Sequence, residues 1–139
     1  MEMGAFLRND KEGIKKDFDY VYSLLPVLSE RRNQIAGSLS GGEQQMLAIG
    51  RSLMSKPKLL MMDEPSIGLS PLVKKQLTES IRHIWQSGIT LLVVEQDASL
   101  TLELTQRVYI MEHGKIGLEG KSEDLMDNED VKRVYFQLG

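Results

Sequence analysis

Apolar residues recur at Ile14, Phe18, Val21, Leu25 and Leu28, a spacing of three and four that marks one face of a helix. Pro26 falls inside this stretch and breaks the backbone hydrogen-bond ladder, so the pattern predicts an interrupted amphipathic helix. Residues 1–13 show no clear period, and ERRNQIAG (30–37) reads as a polar connection with Arg31 and Arg32 solvated. Met46, Leu47, Gly50, Leu53 and Met54 mark the inner face of a second helix, ended by Lys56 and Pro57. KLLMMDE (58–64) and TLLVVEQ (90–96) are short unbroken apolar runs closed by polar residues, which predicts strands buried on both faces. Between them, PSIGLSP leads into a helix with Ser70 as N-cap and Pro71 at its first position. That helix turns Val73, Leu77, Ile81 and Trp85 inward and stops at Gly88. Strand, helix, strand with short connections is a βαβ unit, so the two strands are expected to pair in parallel. A helix over 98–105 follows, then a hairpin over RVYIMEHGKIGLEG with His113-Gly114 at the turn. Two short helical pieces, the first capped by Ser122, complete an α/β chain.

Composition narrows the function classes. The 139 residues, 41% hydrophobic, suit one domain with a modest core or a piece of a larger one. A net charge of −3 argues against nucleic acid as the main partner, which needs a basic face. Cysteine is absent, which removes disulfides, thiolate metal sites and a cysteine nucleophile. No apolar stretch approaches the ~18 to 20 residues of a membrane span, and MEMGAFLRND lacks the apolar core of a signal peptide. A soluble, cytoplasmic protein is the expectation. His83 and His113 lack ligand-like spacing and read as surface residues, and the eight methionines read as core filling.

Two stretches carry candidate chemistry. In SLSGGEQQ (38–45), Ser40 followed by Glu43 ahead of an apolar run is a helix-capping box. Backbone N–H groups and a hydroxyl at the positive end of a helix also bind anions, and Gly41 and Gly42 allow close approach of a backbone. Taken alone, the cap accounts for Ser40 and Glu43. Asp63 and Glu64 close an apolar strand at the end where ligands sit in doubly wound sheets. Such a pair suits an aspartate on Mg²⁺ and a glutamate that polarises a water for attack on a γ-phosphate. Taken alone, Asp63-Glu64-Pro65 serves equally as the polar closure of a strand.

LSGGEQQ, then LLMMDEP, a GL-containing loop and a second strand ending in polar residues: this order resembles the ATP-binding subunits of ABC transporters. LSGGEQ resembles the signature motif, LLMMDEP the Walker B strand with its glutamate, PSIGLSP the D-loop, and VVEQD the end of the switch strand. GEQQMLAIGRSLM, DEPSIGLSP and VVEQD together are most similar to the branched-chain amino acid importer type. The resemblance implies an incomplete P-loop NTPase fold, with residues 1–50 as helical subdomain and signature and 51–139 as the C-terminal part of the nucleotide-binding core. It implies ATP and Mg²⁺ as cofactors, with Asp63 on the metal and Glu64 and Gln96 at the γ-phosphate. Ser40, Gly41, Gly42 and Gln44 are implied to bind the nucleotide of a second ATPase subunit. Membrane permease subunits are the other implied partner, at the inner face of the cell membrane.

Three departures qualify that resemblance. Gln96 stands where most of the family has histidine; its amide donates a hydrogen bond but carries no proton at neutral pH. The branched-chain type resembles this chain in having glutamine there. Ser70 takes the D-loop aspartate position and is expected to act chiefly as an N-cap. No G-x-x-x-x-G-K-[ST] occurs. GKIGLEGKS (114–122) is the nearest string, but its outer glycines are one residue too far apart, and Ile116 and Leu118 alternate as in a hairpin strand. The expectation is therefore a C-terminal part of a subunit, without its P-loop and inactive alone. Its sheet is expected to expose an apolar edge and face, with marginal monomer stability and self-association. A non-hydrolysing module that docks on a full-length ATPase is the alternative; a non-transport ABC ATPase is disfavoured by Gln96.

Overall fold

Proline divides the first helical stretch as expected. Helix α1 spans Lys11–Leu24, Leu25 leaves helical geometry, and α2 restarts at Pro26, running to Glu30. In the first helical position the missing proline N–H costs nothing, because that group has no intrahelical partner anyway. The computed structural model describes residues 1–128 and 131. These fall into two units, Met1–Leu92 and Val93–Gly139.

The first unit continues through a 3-10 turn at Ala36–Ser38, helix α3 (Gly41–Leu53), strand β1 (Leu59–Asp63) and helix α4 (Pro71–Gln86). Val21, Leu25 and Leu28 are buried, as are Met46, Ile49, Leu53 and Met54 of the α3 segment. Ile49 joins this face although the expected set omits it, and Leu47 is only partly buried. On α4 the buried stripe is Leu77, Ile81 and Ile84. Trp85, expected inside, is 42% exposed: Ile84 completes the three-and-four spacing from Leu77 and Ile81, which leaves the indole at the edge of the stripe. The buried Ser80 hydroxyl lies 3.1 Å from the Leu24 carbonyl, a group that α1 leaves unpaired where it breaks before Pro26. Before α1, Arg8 ties down the N-terminal segment, with Nη1 donating to Asp17 and to the Met54 carbonyl and Nη2 to Asp10.

Strand β1 pairs in parallel with β2 (Thr90–Val94), which gives the expected βαβ unit with α4 as its helix. Burial on both faces does not hold. Leu60 and Met62 are buried, whereas Leu59 and Met61 of β1 and Leu92 and Val94 of β2 are exposed. An unbroken apolar run registers that a strand suits a two-sided cover; it does not supply the second layer. An apolar face lies open, as the expectation of an uncovered sheet requires.

In the second unit, Asp97 caps helix α5 (Ala98–Leu104) by accepting from the Leu100 N–H at 3.1 Å. Strands β3 (Arg107–Glu112) and β4 (Lys115–Lys121) form the expected antiparallel hairpin. His113 and Gly114 have φ of 49° and 77°, the positive values a two-residue hairpin turn demands. Ile110 faces Leu118 while Met111 faces Ile116, so Gly117 is the extra residue of a bulge. The P-loop-like string 114–122 is therefore mostly strand, as its alternation indicates. Leu102, Val108 and Leu125 pack with Val131 in a small core. Helix α6 spans Ser122–Met126 with Lys121, not Ser122, at the N-cap. Ser122 is instead buried in the first turn, its hydroxyl 3.1 Å from that of Thr105. The second C-terminal helical piece lies largely outside the described residues.

Candidate nucleotide site

The site is assembled around the first turn of α3. Ser40, extended at φ −63° and ψ 160°, forms a complete capping box with Glu43. The Ser40 N–H donates to Glu43 Oε2 at 2.8 Å, and the Glu43 N–H donates to Ser40 Oγ at 3.4 Å. The Ser40 backbone bond is the largest cause holding the Glu43 carboxyl below the ordinary glutamate range. Arg31 is exposed as expected and also reaches Glu43 Oε1 with Nε at 3.3 Å, adding to that effect. Sequence spacing gave no sign of this pair, because Arg31 belongs to an irregular connection with no period to project.

The box uses the amides of Ser40 and Glu43. Those of Gly41 and Gly42 stand at the helix end, where no carbonyl of the helix reaches them. The two glycines differ. Gly41 is exposed, and a methyl added there meets nothing within 4 Å. Gly42 is buried against the loop that follows β1 and the first turn of α4: its added methyl would lie 2.6 Å from Val73 Cγ1 and 3.5 Å from Leu69 Cδ2. Gln44 turns its amide back along its own chain, donating to the Leu39 carbonyl at 3.1 Å and the Ala36 carbonyl at 3.4 Å. It thereby holds the segment that enters the Ser40 turn.

Asp63 ends β1 and is exposed; Glu64 beside it is partly buried. Glu64 has φ of 44°, a left-handed conformation uncommon for a side chain of this kind. Its carbonyl accepts from Ile67 at 3.1 Å, and Pro65 and Ser66 are buried beneath, so the surrounding turn imposes the conformation. Pattern reading gives no access to a single positive φ outside glycine. Ser70 occupies the N-cap of α4, followed by Pro71, but its side chain makes no capping bond. The expectation for Ser70 is thus right in position and wrong in the bond. Gln96 is exposed and belongs to the second unit. Among the described residues no cluster of three or more metal-binding side chains occurs. A Mg²⁺ ion does not need one, since it takes one or two carboxylates and fills its shell with water and substrate phosphates. Nor, among those residues, is any helix long and apolar enough to cross a membrane.

Residues 8–67 match the family model described as ABC transporter. The chain is 46% identical over 135 residues to the high-affinity branched-chain amino acid transport ATP-binding protein BraG of Pseudomonas aeruginosa, covering 97% of this chain and 58% of BraG. It is 34% identical over 108 residues to the lipopolysaccharide export system ATP-binding protein LptB of Haemophilus influenzae, covering 78% of this chain and 45% of LptB. Among solved structures, the ADP conformation of MJ1267, an ATP-binding cassette of an ABC transporter, superposes with a TM-score of 0.75 at 30% identity, over 92% of this chain and 51% of that one. The chain spans about half the length of the relatives it matches. The chain belongs to the ATPase domains of ABC transporters.

Proposed function

We propose that this chain is the signature-bearing part of an ATPase subunit that powers branched-chain amino acid import, its Ser40–Gly42 turn completing a nucleotide site in a second ATPase subunit. One observation carries the reading. The capping box leaves Gly41 exposed at the positive end of α3, while Gly42 seats that turn against the loop that follows Asp63 and Glu64. A helix start with an exposed glycine and two carboxylates at a strand end are thereby joined in one unit.

Bound Mg-ATP supplies the γ-phosphate and the cation that neutralises it. Asp63 offers the exposed hard oxygen such a cation takes. Glu64, held by its backbone, orients the attacking water and accepts its proton. Gln96, in the second unit, carries an amide able to donate to a phosphate oxygen, and Gln44 acts through the segment it holds at the turn. No residue of this sequence supplies the P-loop lysine, so that cradle belongs to sequence outside these 139 residues. Residues 1–50 form the helical subdomain that docks on a permease, with 51–139 as core, at the cytoplasmic face of the membrane. The solute class rests on the higher identity to BraG than to LptB. ATP-driven uptake of labelled leucine by the reconstituted transporter tests it, and uptake unaffected by ATP refutes it.

Glu64→Gln in the complete protein is the test of the chemistry. Turnover is expected to fall on the order of a thousandfold, the scale of lost general-base catalysis, with ATP retained. Undiminished turnover refutes the role. The lack of a P-loop in this sequence favours one other reading, a module that lends its signature turn to a full-length ATPase without hydrolysing ATP itself.

A further inference from the structure

We propose that Val73, together with Leu69, is a positioning residue for the Ser40–Gly42 turn, acting through the bare backbone of Gly42. The proposal rests on the reading that this turn serves a nucleotide. Adjacent glycines at a helix start are usually given one purpose, and here they have two. Gly41 faces open space, so nothing in this chain demands a glycine there. At Gly42 an added methyl falls 2.6 Å from Val73 Cγ1, well inside the separation of about 3.5–4.0 Å at which carbons attract. Val73 Cβ and Leu69 Cδ2 stand at 3.6 and 3.5 Å from the same point, in ordinary contact. Val73 lies in the first turn of α4, and branching at Cβ restricts the rotation of its side chain. Its Cγ1 is therefore a stiff stop. Leu69 belongs to the loop that begins with Glu64, so one contact sets the spacing between the turn and the segment carrying the carboxylate.

A double-mutant cycle tests this. In the complete protein Gly42→Ala pushes the turn off Val73, and kcat is expected to fall about a hundredfold, the scale of a misplacement of about 1 Å. Val73→Ala removes Cγ1 and leaves only the 3.6 Å contact, so G42A/V73A is expected to recover the kcat of V73A alone. A double variant as slow as G42A overturns the proposal, because the methyl then obstructs the phosphate directly. Thermal melts of this 139-residue chain give a second readout: G42A lowers Tm and V73A reverses the loss. A double variant that melts no higher than G42A also overturns it. Absence of ATP turnover in the wild-type complete protein defeats the functional reading alone, since the melts still report the Gly42–Val73 contact.

Discussion

Ser40 and Glu43 satisfy each other's backbone N–H groups, and Arg31 lies against the carboxylate. Loss of the serine hydroxyl leaves an orphan amide at the start of α3; Ser40→Ala is expected to cost about 1 kcal/mol in chemical denaturation. The glutamate makes that cost depend on pH. Its pKa is depressed in the fold, so its contribution is present above the ordinary glutamate pKa and is lost as pH falls through the lower folded value. Melts between neutral pH and pH ~3 should show an acid-limb loss that Glu43→Gln reduces; an unchanged limb in the variant contradicts the assignment. Ser40 and Glu43 were legible as a box because a capping pair is a local pattern. The Arg31 contact and the positive φ of Glu64 were not, since both arise from irregular segments whose course depends on packing.

At the scale of the element, α4 shows how far periodicity reaches. Leu77 and Ile81 were placed correctly, yet a stripe wide enough to include either Ile84 or Trp85 does not decide between them. The structure buries Ile84 completely and leaves Trp85 42% exposed. Ile84→Ala is expected to cost about 2–5 kcal/mol, the range for emptying a filled core position. Trp85→Ala is expected to cost less than Ile84→Ala despite the larger side chain, and denaturant midpoints that rank them oppositely place the indole in the core. The hairpin and its His-Gly turn were legible, because turn residues between alternating strands are a local signal, but the bulge at Gly117 that shifts the register between Ile110 and Met111 was not.

At the scale of the whole molecule, β1 and β2 keep open apolar faces. Leu59, Met61, Leu92 and Val94 leave apolar surface in water. Sedimentation of this chain should show association that grows with concentration, and Leu59→Ser with Met61→Ser should reduce it. A monodisperse wild-type monomer with a high Tm counts against the prediction. Calorimetric titration of the chain alone with Mg-ATP should show no tight binding, because the P-loop lysine and its glycine cradle are absent from this sequence. Micromolar affinity refutes that.

The sequence by itself determined the order of elements, the two parallel strands around α4, the hairpin and the motifs, because each is written in local periodicity, caps and turn residues. Only the tertiary structure decided which apolar positions lie inside, and that Gly42 and not Gly41 needs to be bare. Burial and close approach depend on what a neighbouring segment places opposite, and Val73 reaches Gly42 through the fold and not along the chain.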